Sequence, residues 1–219
     1  MAYYKKIILG AIIISGVLLA GGIIYAASQG FNVTFEVSSP VSAYIKWAIP
    51  EGRVGAAGTN WDTMFYIKVK TADGSATLYT QPTLVTSDTW GRYNTLIDLS
   101  SVGAGTYDIY IKGHHSLTKK MDDITLAEGQ NRLNFTQPDN STATGTVRLL
   151  AGDISGATSS PALMGDDVIN AVDLNIMLDH LDETDPTTRD IRANVNQDPE
   201  INSVDLSLLL NNLDQEGDQ

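Results

Sequence analysis

Ile169-Asn170-Ala171-Val172-Asp173-Leu174-Asn175-Ile176-Met177-Leu178-Asp179-His180-Leu181-Asp182-Glu183 returns 32 residues later as Ile201-Asn202-Ser203-Val204-Asp205-Leu206-Ser207-Leu208-Leu209-Leu210-Asn211-Asn212-Leu213-Asp214-Gln215, with 8 of the 15 pairs identical. Self-similarity of this kind marks two copies of one supersecondary unit. Each copy opens with a polar, oxygen-rich stretch and continues into aliphatic residues at helical spacing. These are Leu174, Met177, Leu178 and Leu181 in the first copy and Leu206, Leu209, Leu210 and Leu213 in the second. The pattern predicts two short amphipathic helices, each behind its own loop, that pack against one another.

The oxygen residues have a phase of their own. A hard cation such as Ca2+ takes about six to eight oxygen ligands, which a loop of about 12 residues delivers from alternate positions with a carboxylate at its end. In the second copy Asn194, Asn196, Asp198, Glu200, Asn202 and Asp205 stand at loop positions 1, 3, 5, 7, 9 and 12. There Glu200 offers its backbone carbonyl, Asn202 acts through water and Asp205 closes the site with both oxygens. In the first copy Asp153 and Ser155 take positions 1 and 3, and Asp166, Val168, Asn170 and Asp173 take 5, 7, 9 and 12, once residues 156 to 164 are read as an insertion. Lengthening a loop costs little closure entropy, so the site survives such an excursion. A solvated acidic face on a helical hairpin would account for the charge. It would not account for an oxygen pattern held twice in phase with Ile-Asn-x-x-Asp-Leu.

These residues resemble dockerins, whose repeats share an Asp-x-Asn-x-Asp-Gly-x-Ile-Asn-x-x-Asp loop with aspartate rather than glutamate at the last position. The resemblance covers residues 151 to 183 and 192 to 215. It implies a module folded by calcium that docks on a cohesin domain of a scaffold or cell-surface protein. It also implies partner contacts from Ala171, Val172 and Leu178 in the first repeat and Ser203, Val204 and Leu210 in the second. Asn194 departs from the family pattern by removing one charge. Pro199 departs by replacing the glycine of a turn at positive φ, which proline cannot adopt. Asp167 holds the same position in the first loop, and Val172 and Val204 stand where hydroxyl pairs are common.

Charge is partitioned along the chain. The net charge is -12, and residues 151 to 219 carry 15 acidic and 2 basic side chains, leaving 11 and 12 in residues 1 to 150. An acidic module of this kind suits divalent cations and excludes nucleic acid, which requires a basic face. With no cysteine, neither disulfides nor thiolate metal sites arise.

Between Phe31 and Leu150 the chain changes to short segments rich in β-branched and aromatic residues: Phe31 to Val37, Val41 to Trp47, Met64 to Lys70, Ala76 to Thr80, Tyr93 to Leu99, Thr106 to Lys112, Ile124 to Ala127, Arg132 to Phe135 and Gly145 to Leu150. Turn residues such as Ser39-Pro40 and Ala72-Asp73-Gly74 separate them, which predicts an antiparallel sandwich. Residues 105 to 117 and 124 to 131 are similar to β-domains that precede dockerin-like modules in bacterial surface proteins. Trp47, Trp61, Trp90, Tyr79 and Tyr93 are candidates for a polysaccharide platform, against the ordinary use of aromatics as core. His114 and His115 are adjacent and would face opposite sides of a strand, and no catalytic constellation accompanies them. The chain is read as non-catalytic.

At the N-terminus, Lys5-Lys6 precedes the uncharged run Ile7 to Ala27 and the small residues Ala26-Ala27-Ser28. The run fits either a signal peptide or a membrane anchor through residues 7 to 27, and both place the remainder at the cell surface or outside the cell. The domain expectation is a targeting segment over 1 to 28, a β-domain over 29 to 136, a linker over 137 to 145 and a dockerin-like domain over 146 to 219. The expected fold class is α+β and multi-domain: a transmembrane or signal helix, an all-β antiparallel sandwich, and a small α-helical pair of calcium loop-helix repeats. The expected partners are a cohesin-like domain or the chain's own β-domain.

Overall fold

Phe65, Ile67 and Val69 alternate with Tyr66, Lys68 and Lys70, and only the first set is buried. The same alternation buries Ala43 and Ile45 and, further on, Ile109 and Ile111. These rows are the inner faces of two sheets. The computed structural model of the chain describes residues 38–53, 61–136, 148–156, 164–184 and 192–219. Its strands are β1 (Ser42–Trp47), β2 (Met64–Thr71), β3 (Thr77–Thr80), β4 (Val85–Thr86), β5 (Tyr93–Asp98), β6 (Gly105–Gly113), β7 (Lys119–Leu126) and β8 (Gln130–Asn134), followed by helices α1 (Ala171–Asp179) and α2 (Ser203–Asn211).

One sheet has three strands in the order β5-β1-β8, and the other runs β3-β2-β6-β7 with β4 also paired to β2. Their inner rows interdigitate in a core that includes Val41, Ile45, Phe65, Ile67, Ile97, Leu99, Ile109, Ile111, Leu133 and Phe135. The rings of Phe65 and Tyr93 pack edge to face with centroids 5.8 Å apart. The expected antiparallel pairing is corrected at one edge. β8 runs parallel to β1, with Ser42 opposite Gln130 and Ile45 opposite Leu133.

The fold class itself is corrected more broadly. Among the described residues the helices are two, each of 9 residues, and none is long and apolar enough to cross a membrane. Residues 7 to 27, where the targeting segment was expected, lie outside the described residues, as do Phe31 to Val37 and the expected linker over 137 to 145.

The C-terminal residues extend the sandwich and do not make a separate helical domain. Residues 39 to 219 form one compact unit. Leu149 exchanges backbone hydrogen bonds with Ile49 and Glu51, each at 2.9 Å, while Leu117 N–H donates to the Leu150 carbonyl and Gly152 N–H to the His115 carbonyl, also at 2.9 Å. A second core draws on both parts, with Leu117 packed among Ile154, Ile169, Met177, Val195, Ile201 and Leu209. Gly52, at φ +72, lets Leu208 of α2 rest directly on the backbone that follows β1. Strand β6 is consequently covered twice. Ile109 and Ile111 face the sandwich core, and Tyr110 and Lys112, on the opposite face, are buried as well.

Candidate functional site

Both helices begin at the repeated Asn-x-x-Asp. Asn170 and Asn202 are the N-caps, with extended backbones at φ -142 and -141, and Asp173 and Asp205 close capping boxes three residues on. Val172 N–H donates to Asn170 Oδ1 at 2.7 Å, and Val204 N–H donates to Asn202 Oδ1 at 2.8 Å. This dual use was missed in the sequence, although the capping-box spacing would have revealed it. The two aspartates also tie each loop to its helix. Asp173 Oδ1 accepts from Ile154 N–H and Ser155 N–H at 2.8 and 2.7 Å, and Asp205 Oδ1 accepts from Asn196 N–H at 3.0 Å.

Each loop is completed by the other repeat. Ile169 exchanges backbone hydrogen bonds with Asp214 and Gln215, beyond α2, and Ile201 exchanges them with Asp182 and Glu183, beyond α1. Asp182 and Asp214 turn the chain there at φ 68 and 64. Ile169 and Ile201 therefore hold equivalent places in the second core, as do Met177 and Leu209.

The first loop keeps its register across the insertion. Gly156, at φ 106, comes against Gly165 and Asp166, so the excursion pinches at its neck; residues 157 to 163 lie outside the described residues. Asp167, at the sixth position, has φ 73, the left-handed turn that glycine usually supplies. Its N–H donates to Asp153 Oδ2 at 2.9 Å. Gly165 passes so close to the Asp153 carboxylate that a side chain there would overlap it. Asp166, on the surface, accepts from Val168 N–H at 3.2 Å, and Val168 bridges to Glu216.

The second loop is shaped differently. Pro199 occupies the sixth position, and the positive φ falls two residues earlier, at Gln197 with φ 59. Asn194 Nδ2 donates to the Asp198 carbonyl at 2.9 Å, and Asn196 Nδ2 donates to Asp198 Oδ2 at 2.8 Å. Glu200 N–H donates to Asp198 Oδ1 at 2.9 Å while its own side chain is exposed.

Three oxygens in these loops are buried without a hydrogen-bond partner: Asp153 Oδ1 and Ser155 Oγ in the first and Asn194 Oδ1 in the second. An orphaned buried acceptor is costly, and these three belong to positions 1 and 3 of the expected cation loops. Burial raises the Asp153 carboxyl to about 6, even though Lys112 beside it pulls the other way. Burial, reinforced by Asp198, raises Asp205 as well. Uncompensated acceptors with destabilised negative charge suit a hard cation. Among the described residues no three His, Asp or Glu side chains gather as a metal cluster. The fit therefore rests on a mixed set of carboxylate, carboxamide, hydroxyl and carbonyl oxygens. An open cleft of about 410 Å³, lined in part by Tyr66, Lys112, Gly165 and Asp167, reaches the first loop.

On the outer face of the helices the aliphatic residues divide. Met177 and Leu209 are fully buried, whereas Val172 and Leu178 are 55% and 49% exposed and Val204 and Leu210 are 47% and 46% exposed. Ala171 and Ser203 are also exposed beside them. Leu178 and Leu210 are thus surface residues in spite of their core-like spacing.

Other sequence candidates are dispersed. Trp61 is buried, Tyr79 and Tyr93 pack on the sandwich core, and Arg92 lies over both Trp47 and Trp90 at 6.0 and 5.3 Å, so the five aromatics form no single platform. His114 and His115 lie on the turn after β6, not on a strand. His115 takes φ 61, and the two rings, both buried, lie with centroids 3.5 Å apart and planes tilted by 37°. Burial, with Arg53 nearby, lowers His114 to about 4 and holds His115 far below the usual histidine range.

No protein-family description matches the chain, and no curated protein matches it. Its fold is similar to that of solved chains from Acetivibrio cellulolyticus. One belongs to a C-terminal interface mutant of a type II cohesin–X–dockerin complex, with a TM-score of 0.54 and 18% identity over 82% of this chain and 97% of that one. Another belongs to an N-terminal interface mutant of such a complex, with a TM-score of 0.52 and 17% identity over the same shares. At this identity the likeness concerns the fold.

Proposed function

We propose that the chain is a non-catalytic attachment module, acting at the cell surface or outside the cell, whose two loops bind Ca2+ and whose helices present a docking face to a cohesin-type protein domain. The observation that carries the reading is the exposed quartet Val172, Leu178, Val204 and Leu210. Repeat-related aliphatic residues stand in solvent there while Met177 and Leu209 on the same helices are buried. Exposed aliphatic residues that recur in register on two helices suit a protein partner. The order of a β-body followed by paired loop-helix repeats, and the resemblance of the loops to dockerins, support the same class of partner.

Calcium in this reading would be held by Asp153, Ser155, Asp166, the Val168 carbonyl, Asn170 and Asp173 in the first loop, and by Asn194, Asn196, Asp198, the Glu200 carbonyl, Asn202 and Asp205 in the second. When bound it supplies positive charge to buried oxygens. The chain's own residues fix the start of each helix through the capping boxes. Calorimetric titration of the full chain with CaCl2, followed by titration with a type II cohesin domain in calcium and in chelator, tests the proposal. Calcium-dependent cohesin binding that is lost in Val172→Asp/Val204→Asp is the expected result. Calcium binding with no cohesin affinity would remove the docking function.

A second reading has its own observation. The repeats already pack on the β-body through Leu208 on Gly52 and through Arg53 Nη1, which donates to the Val195 carbonyl at 3.0 Å. In that case the calcium loops stiffen a surface component whose only partner is its own sandwich, and the cohesin titration separates the two.

A further inference from the structure

Lys112 lies on a strand where alternation would place it in water, yet it is 3% exposed. Its ammonium has three donors and uses them all. It donates to the Ser116 carbonyl at 2.8 Å, to Asp167 Oδ1 at 3.0 Å and to Asp153 Oδ2. The two carboxylates are positions 1 and 6 of the first loop. In the second loop the corresponding residues are Asn194 and Pro199, which carry no charge. The ammonium thus accompanies the loop that has extra carboxylates. It binds Asp153 Oδ2 and Asp167 Oδ1 and leaves Asp153 Oδ1, which lies against Gly165, buried without a partner, as is Ser155 Oγ.

We infer that Lys112 is the built-in counter-cation of the first loop: it keeps that loop folded without Ca2+ and weakens Ca2+ binding there. This rests on the reading of the two segments as cation loops. Asp153 and Asp167 stand 14 positions apart with the insertion between them, and one ammonium draws them together with the Ser116 carbonyl of the turn after β6. A divalent ion entering at Asp153 Oδ1 meets a fixed positive charge on the far side of the same carboxylate. The loop is therefore shaped in advance and electrostatically opposed to its ligand.

The test replaces Lys112 by methionine in the full chain, which keeps the stem and removes the charge. In chelator, Lys112→Met strands two carboxylates, and the melting temperature is expected to fall by roughly 6 to 20 °C. Saturating CaCl2 should recover most of that loss, and calcium affinity at the first loop should rise roughly 10- to 100-fold by removal of the like charge. Adding Asp153→Asn, which neutralises one of the two carboxylates, should restore part of the stability in chelator and abolish the gain in affinity, including where Lys112→Met alone does not fold.

A stability loss that calcium does not recover, or an unchanged first-loop affinity, would overturn the inference and reduce Lys112 to an ordinary ion pair. Wild type that binds no calcium, with Lys112→Met binding one ion, would support it while removing the calcium requirement from the proposed function. Two tightly bound ions in wild type, unaffected by Lys112→Met, would do the reverse.

Discussion

Replacing Leu117 by alanine tests whether the loop-helix pair and the sandwich are one cooperative body. Leu117 follows β6 in the chain but lies, 2% exposed, in the second core among Ile154, Ile169, Met177, Val195 and Leu209. Truncating a leucine so enclosed costs about 3 kcal/mol, the lost transfer energy plus the cavity left behind. For a body of this size that corresponds to a fall of about 6 to 12 °C in melting temperature. It also corresponds to a loss of about 150-fold in protection for amides that exchange only by global opening. Native-state hydrogen exchange would follow amides of β1 and β2 in the sandwich and of α1 and α2, alongside urea unfolding. In one body, all four elements lose the same protection and unfolding stays a single transition. The exposed Leu96, 45% accessible, provides a control whose alanine variant should stay within about 0.5 kcal/mol of wild type. Protection lost in the helices alone, or two separate urea transitions, would refute the single unit and return the repeats to the status of an independent domain.

Three further outcomes follow from the local chemistry. Asn170→Ala and Asn202→Ala should each cost about 1 kcal/mol in urea unfolding, and by similar amounts, because each removes one N-cap in an equivalent capping box; a cost confined to one copy would break the equivalence of the repeats. Val172→Asp and Leu178→Asp should leave stability within about 0.5 kcal/mol, since both side chains are about half exposed, while eliminating the cohesin affinity proposed above. His114 is lowered from 6.5 to about 4 in the folded chain, so the unfolded chain takes up the proton first. Stability is therefore present above pH 6.5 and lost as pH falls towards 4, by about 2 kcal/mol between pH 8 and pH 5. His115, shifted the same way, adds to the slope. His114→Gln should flatten the pH dependence measured by urea unfolding, and an unchanged slope would show that other groups dominate.

Much of the sandwich was legible because its inner strands alternate cleanly, as β1 and β2 do. β7 was half legible. Lys119-Lys120-Met121-Asp122-Asp123 looks like a polar loop, and it is a strand because β6 supplies a ladder from Gly105 to Ile111, interrupted once by a register shift between Tyr107 and Ile109. The parallel edge of β8 on β1 carries no local signal, since nothing in Arg132 to Phe135 specifies strand direction. At the repeats, the starts of both helices could be read from Asn-x-x-Asp. Their fusion with the β-body could not, because it depends on Leu117, Gly52 and Leu149 meeting residues far away in the chain. Lys112 was the least visible of all. It belongs, like Lys68 and Lys70, to a strand of the alternating type, and its two carboxylate partners are 41 and 55 residues distant.

The reciprocal bonding of the repeats also dictates an order of events in biosynthesis. Ile169 is held by Asp214 and Gln215, and the Asp167 carbonyl accepts from Gly217 N–H at 2.9 Å. The growing chain meets these partners only after residues 214 to 217 have left the ribosome. Chains emerge at about 5 to 20 residues per second and earlier segments usually fold first. Here the strands can pair during synthesis and Lys112 can gather Asp153 and Asp167, while the backbone closure of the first repeat on residues 214 to 217 waits until the second repeat has been made.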